Sequence, residues 1–222
     1  MASPACSSHP GPHAVLVVGV GNTILRDDGA GIYAVRRLAE LLVARGATPV
    51  LPLPTDPRLT AAHLGTGAAG TSGQSDARTT PGTSRHWDMT SDVTPLVLPD
   101  GRQIHLAEAC TGGLGLVEIL LGYPQAVVID AWPGVPPGQF CRLTLADLDT
   151  APAPASMHQV GLPTAMRAAA RLGLPLPGQV EVWAIGVEEM GLGETCTPPV
   201  QAVVEEVAGR LAAILTGLGD PM

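Results

Sequence analysis

The sequence predicts a doubly wound α/β domain of three layers, α/β/α, with a twisted, mostly parallel sheet of five strands covered by helices on both faces. Three observations carry this. Short apolar runs at 15–18, 126–131 and 180–185 are rich in β-branched residues, which suits strands buried on both faces of a parallel sheet. They alternate with stretches whose apolar residues recur at helical spacing. Turns of glycine and other small residues join strand to helix, and such turns lie at the carboxyl edge of the sheet, where open α/β folds bind ligands.

The first strand, 15–18, runs into Gly19-Val20-Gly21-Asn22, residues that tolerate tight or left-handed backbone. Asp27 and Asp28 follow, and then a helix with Ile32, Val35, Leu38, Ala39 and Leu42 on one face, fading near 44–46. One aspartate would suffice to favour the helix macrodipole, so the second calls for a partner elsewhere. Residues 55–100 are rich in Gly, Ser, Thr, Pro and Asp with little periodicity, and read as a low-complexity, flexible insertion. His63 and His86 inside it have no partners at ligand spacing.

A second strand is expected over 104–108, then the turn Ala109-Cys110-Thr111-Gly112-Gly113 and an apolar helix over 114–121. The strand 126–131 carries Asp130 towards its end. Residues 139–144 alternate like a half-exposed edge strand, and 145–148 suit a helical turn. A proline-rich linker over 151–155 delivers Ser156-Met157-His158-Gln159 to a helix over 160–172. After the strand 180–185 and a loop over 186–199, a closing helix over 200–215 places Val203, Val207, Leu211 and Leu215 on one face. The expected organisation is one domain over 14–220, preceded by a disordered leader, 1–13.

Composition narrows the function. The chain has 222 residues, a net charge of −8 and only 14% charged residues, so no basic stripe exists to neutralise nucleic-acid phosphates. One Phe, two Tyr and three Trp offer no aromatic platform for bases or sugars. No apolar run reaches the roughly 20 residues of a membrane span, and residues 1–13 lack the basic and apolar regions of a secretory signal. Cys6, Cys110, Cys141 and Cys196 are scattered and form no C-x-x-C, so a reduced, cytoplasmic setting is expected.

Asp28, Asp130 and His158 each fall on a loop or helix start at the same predicted edge. Two carboxylates and an imidazole suit a divalent first-row ion, and an incomplete set leaves positions for a ligand brought by a partner. His13 lies at the wrong end of its strand, and His105 lies inside one.

These residues carry a resemblance to a family. Gly19-Val20-Gly21-Asn22 with Asp27-Asp28-Gly29 and Gly31 resembles the opening motif of the hydrogenase maturation proteases, which trim the C-terminus of the large subunit of nickel–iron hydrogenases. The likeness continues through Thr111-Gly112-Gly113, Ile129-Asp130-Ala131, Met157-His158-Gln159-Val160-Gly161-Leu162, Gly186-Val187-Glu188 and Thr197-Pro198-Pro199-Val200. It covers all but the leader and the 55–100 stretch. The resemblance implies that Asp28, Asp130 and His158 form a metal-binding catalytic site, and that the metal is nickel already carried by the hydrogenase precursor. It also makes Asn22, Asp27, Thr111 and Gly112 candidate substrate contacts. The implied partner is the precursor of the large subunit, met by a monomer.

Two departures stand out. The second loop of the family usually reads Asp-Gly-Gly-Thr, where this chain has Glu108-Ala109-Cys110-Thr111, and Asp28 stands where many relatives carry glutamate. The leading expectation is a nickel-dependent processing endopeptidase. The competing ones are a non-catalytic nickel-binding checkpoint module on the same fold and a nucleotide-binding oxidoreductase. The last needs a third glycine where Ile24 stands, and Asp27 and Asp28 would repel phosphate.

Overall fold

The computed structural model describes residues 13–50, 93–150 and 161–219. His158, the leader up to residue 12 and most of the 55–100 stretch lie outside the described residues. The elements run β1 (Val15–Val20), a 3-10 turn (Arg26–Gly29), α1 (Ala30–Ala44), β2 (Thr48–Pro49), β3 (Thr94–Val97), β4 (Gln103–Ala109), α2 (Gly113–Leu120) and β5 (Gln125–Trp132). They continue with β6 (Phe140–Thr144), α3 (Leu145–Thr150), α4 (Leu162–Arg171), β7 (Gln179–Gly186) and α5 (Pro198–Leu215).

The sheet has the order β2-β3-β4-β1-β5-β7-β6. Its centre, β4-β1-β5-β7, is parallel throughout, and β2, β3 and β6 join antiparallel at the two edges. The α/β class and the mostly parallel sheet are as expected, but the sheet has seven strands where five were predicted. Of the two extra strands, β3 lies within the 55–100 stretch read as a flexible insertion. Residues 94–97 of that stretch therefore belong to the sheet. Leu96 is its anchor, buried opposite Ile104 of β4.

Two apolar layers sandwich the sheet. On one face Val17, Ile129, Trp183 and Ile185 pack against α1 and α5 through Leu38, Leu42, Val203, Val207 and Leu211. On the other, Leu16, Val18 and Val128 meet α2 and α4 through Leu116, Leu120, Leu162 and Met166. The alternation along β1 thus sends successive side chains into opposite layers, both dry, as a central parallel strand requires. Among the described residues no helix is long and apolar enough to cross a membrane.

The glycines of the opening motif are packing devices. A Cβ on Gly19 would overlap the carbonyl oxygen of Gly31, and one on Gly31 would overlap the carbonyls of Val20 and Ile129. The first turn of α1 therefore lies directly on the ends of β1 and β5, an approach no larger residue allows. Gly21, at φ 146°, holds the loop against the backbone of Asp28.

Candidate active site

Among the described residues only Asp27, Asp28, Asp130 and Thr197 are buried polar or charged residues, and all four stand at the carboxyl edge of the parallel strands. Asp27 and Asp28 sit on the 3-10 turn, ahead of α1 rather than on it. Neither serves as a helix cap, since the N-cap of α1 is Gly29 and no side chain bonds there.

Asp27 has no exposed surface, and its carboxylate is fully engaged. Oδ1 accepts from the backbone N–H of Thr197 at 2.6 Å. Oδ2 accepts from the N–H groups of Glu188 and Glu189 at 3.0 and 2.9 Å and from the Thr197 hydroxyl at 2.9 Å. Asp27 is thus the anion that organises the loop between β7 and α5, and it presents nothing to a substrate in this arrangement. Of the four expected substrate contacts, it is the one that is fully buried. Each hydrogen bond to a carboxylate is stronger than one between neutral groups, so three N–H groups and a hydroxyl together make a stiff joint.

Around that joint the backbone adds further ties. Arg26 N–H donates to the Gly193 carbonyl at 2.9 Å, Gly193 N–H to Ile24 at 3.0 Å and Asp27 N–H to Glu189 at 3.1 Å. The Tyr33 hydroxyl reaches the Glu194 carbonyl at 2.7 Å. Cys196 is buried beneath, and burial together with the nearby Asp27 carboxylate pushes its thiol up to about 12.

Asp28 follows Asp27 on the same 3-10 turn. It is 3% exposed, and its backbone closes the loop by donating to Leu25 at 2.9 Å and accepting from Asn22 at 3.3 Å. Asp130 is fully buried and lies inside β5 rather than capping it, because the strand runs on to Trp132. Its Oδ1 accepts from the Ala131 N–H at 2.8 Å. The 3-10 turn packs against β5, and Gly31 touches the Ile129 carbonyl, so Asp28 and Asp130 stand on contacting elements at one edge of the sheet. Among the described residues no three His, Cys, Asp or Glu side chains are grouped as a metal-ligand set.

The second loop closes the same edge. Gly21 N–H donates to the Ala109 carbonyl at 3.0 Å, and the Cys110 thiol donates to the Gly21 carbonyl at 2.9 Å. Cys110 lies near Asp28: burial raises its thiol first, and the carboxylates of Asp28 and Glu108 raise it further. Glu108, at the departure from the family pattern, makes a bidentate pair with Arg36 of α1 at 2.9 and 2.7 Å. Asn22 is partly buried, and its Oδ1 accepts from Ile24 N–H at 3.1 Å, closing an Asx turn. Thr111 and Gly112 are partly exposed at the start of α2.

No protein-family profile matches the chain, and no curated protein matches it. Solved structures do. The fold is that of hydrogenase maturation endopeptidases of known structure. The hydrogenase maturating endopeptidase HybD from E. coli superposes with a TM-score of 0.56 at 20% identity, over 93% of this chain and 94% of that one. An endopeptidase from Escherichia coli gives 0.55 at 18% identity, over 92% and 94% of the two chains. The nickel–iron hydrogenase maturation protease HycI from Thermococcus kodakarensis KOD1 gives 0.50 at 17%, over 92% and 94%.

Proposed function

We propose that this chain is an endopeptidase that removes the C-terminal extension of a nickel–iron hydrogenase large-subunit precursor after nickel insertion. The observation that carries this reading is the buried carboxylate pair Asp28 and Asp130 at the carboxyl edge of a fold shared with solved maturation endopeptidases. Burying two carboxylates this deeply is costly, and a hydrophobic pair of similar size would serve stability better. Such pairs are retained where chemistry needs them.

In this reading nickel arrives with the precursor as part of the substrate. Asp28 and Asp130, with His158, would hold it, and hydrolysis would draw either on a carboxylate that takes a proton from the attacking water or on the nickel's Lewis acidity toward the scissile carbonyl. Asn22, Thr111 and Gly112 contact the tail in this reading. The chain works in the cytoplasm as a monomer in a transient complex.

The test is a processing assay with a nickel-loaded large-subunit precursor encoded in the same genome, read by intact mass. Loss of a C-terminal peptide only when nickel is present is the expected result. Binding without cleavage would instead identify a checkpoint module, and cleavage that ignores nickel would remove the metal from the mechanism.

A further inference from the structure

In the loops that follow β1 and β7, at the same edge of the sheet as Asp28 and Asp130, the structure displays two large apolar side chains that folding leaves uncovered. Ile24 is 60% exposed and Leu192 is 80% exposed. They lie on different loops, but Leu25 and Gly193 form a parallel bridge, a register that sets Ile24 next to Leu192. Neither loop is slack. Gly193 N–H donates to the Ile24 carbonyl, Ile24 N–H is held by the Asn22 side chain, and the Asp27 clamp fixes both segments from below.

A rigid apolar pair held in water at the ligand edge of the sheet fits a partner surface better than a defect of packing. The electrostatics name the partner's sign. The segment 188–194 carries Glu188, Glu189 and Glu194. Glu189 is matched by Arg26 at 3.4 Å, whereas Glu188 and Glu194 have exposed side chains with no ion pair among the described residues. The whole chain is acidic besides, at −8.

We infer that Ile24 and Leu192, flanked by Glu188 and Glu194, dock an extended peptide segment that carries an apolar side chain with basic residues next to it. This rests on the endopeptidase reading, in which the segment belongs to the precursor beside the bond to be cut. Ile24 leads straight into the 3-10 turn that bears Asp28, so a segment seated on the pair continues across the candidate site. The apolar pair supplies affinity, and the glutamates supply selectivity and rate of encounter.

The experiment is steady-state processing of the nickel-loaded precursor by the parent chain, by Ile24→Ser/Leu192→Ser and by Glu188→Gln/Glu194→Gln. All four side chains are exposed, so both variants should melt close to the parent. The apolar variant should raise KM about tenfold, with turnover of bound precursor within about twofold. The acidic variant should weaken binding and flatten its dependence on salt. Parent-like KM and salt dependence in both variants, with the parent cleaving normally, would overturn the docking surface and leave the endopeptidase reading intact. A parent chain that neither binds nor cuts the precursor would overturn that reading, and the docking surface with it.

Discussion

Asp27 holds Thr197 at two points, its Oδ1 2.6 Å from the backbone nitrogen and its Oδ2 2.9 Å from the hydroxyl, across the gap between β1 and the start of α5. Thr197 occupies the N-cap position of α5, yet its hydroxyl bonds Asp27 and makes no cap. The two adjacent aspartates of the opening motif therefore divide the labour. One clamps the loop before α5, and the other ties its own turn back to Asn22 and Leu25 through its backbone.

Asp27→Ala should cost about 3 kcal/mol in urea unfolding, because it strands the two buried donors of Thr197 and the part-buried N–H groups of Glu188 and Glu189 at once. Asp27→Asn should also destabilise, since an amide NH2 would then face N–H donors. The variants should lose stability before they lose chemistry. An Asp27→Ala chain as stable as the parent would show that the loop is held by its backbone ties alone.

Gly31→Ala places a methyl group against the carbonyls of Val20 and Ile129, where only backbone could give way. We expect a loss of about 2–4 kcal/mol and displacement of α1 from β5, the strand that carries Asp130. Gly209 in α5 is the control, since a Cβ there meets nothing within 4 Å. Gly209→Ala should raise stability by up to about 1 kcal/mol through helix propensity. Equal effects at the two positions in a thermal melt would contradict the packing account.

β1, β5 and β7 of the parallel centre were legible because strands buried on both faces are written mainly in apolar, β-branched residues. The edges were not. β2 is two residues, Thr48 and Pro49, both exposed, and β3 contains Pro95, a residue that reads as a breaker yet is tolerated on edge strands. Asp28 and Asp130 could be picked out because each follows an apolar strand or glycine turn at a predictable edge. The Asp27 clamp could not, because it joins residues 170 apart in the chain and no periodicity links them. Its one signal was the surplus aspartate itself. Cys110 stands in the turn that follows β4, and its closeness to Asp28 depends on the alignment of β4 with β1, which sequence alone does not fix.

Alkaline pH should weaken the fold through Cys196. Its thiol is pushed from an ordinary 9.0 up to about 12 by burial and by Asp27. Below pH 9 the proton stays on in both folded and unfolded chains, and the full stability is present. Between 9 and about 12 the unfolded chain releases that proton while the folded chain keeps it, so stability falls across this window. Cys196→Ala should flatten that part of the urea-midpoint profile. At pH 8, exposed Cys110 should be alkylated in the native protein, and Cys196 only on unfolding. Rapid native labelling of Cys196 would refute its burial.

The glycines also decide the nucleotide question. In a dinucleotide site the first glycine makes the tight turn and the second lets the backbone approach the pyrophosphate. Here the space above Gly19 is filled by the Gly31 carbonyl, and that above Gly21 by the carbonyl of Asp28. Buried Asp27 and Asp28 add negative charge at the point where phosphate would bind. NAD or ATP at millimolar concentration should therefore leave the melting temperature unchanged, whereas a ligand held with Kd a hundredfold below its concentration would add about 2.7 kcal/mol and a shift of several degrees. Such a shift with NAD would require the opening loop to rearrange around the cofactor. It would favour an oxidoreductase over a protease, because the space that now carries α1 against β1 would have to open.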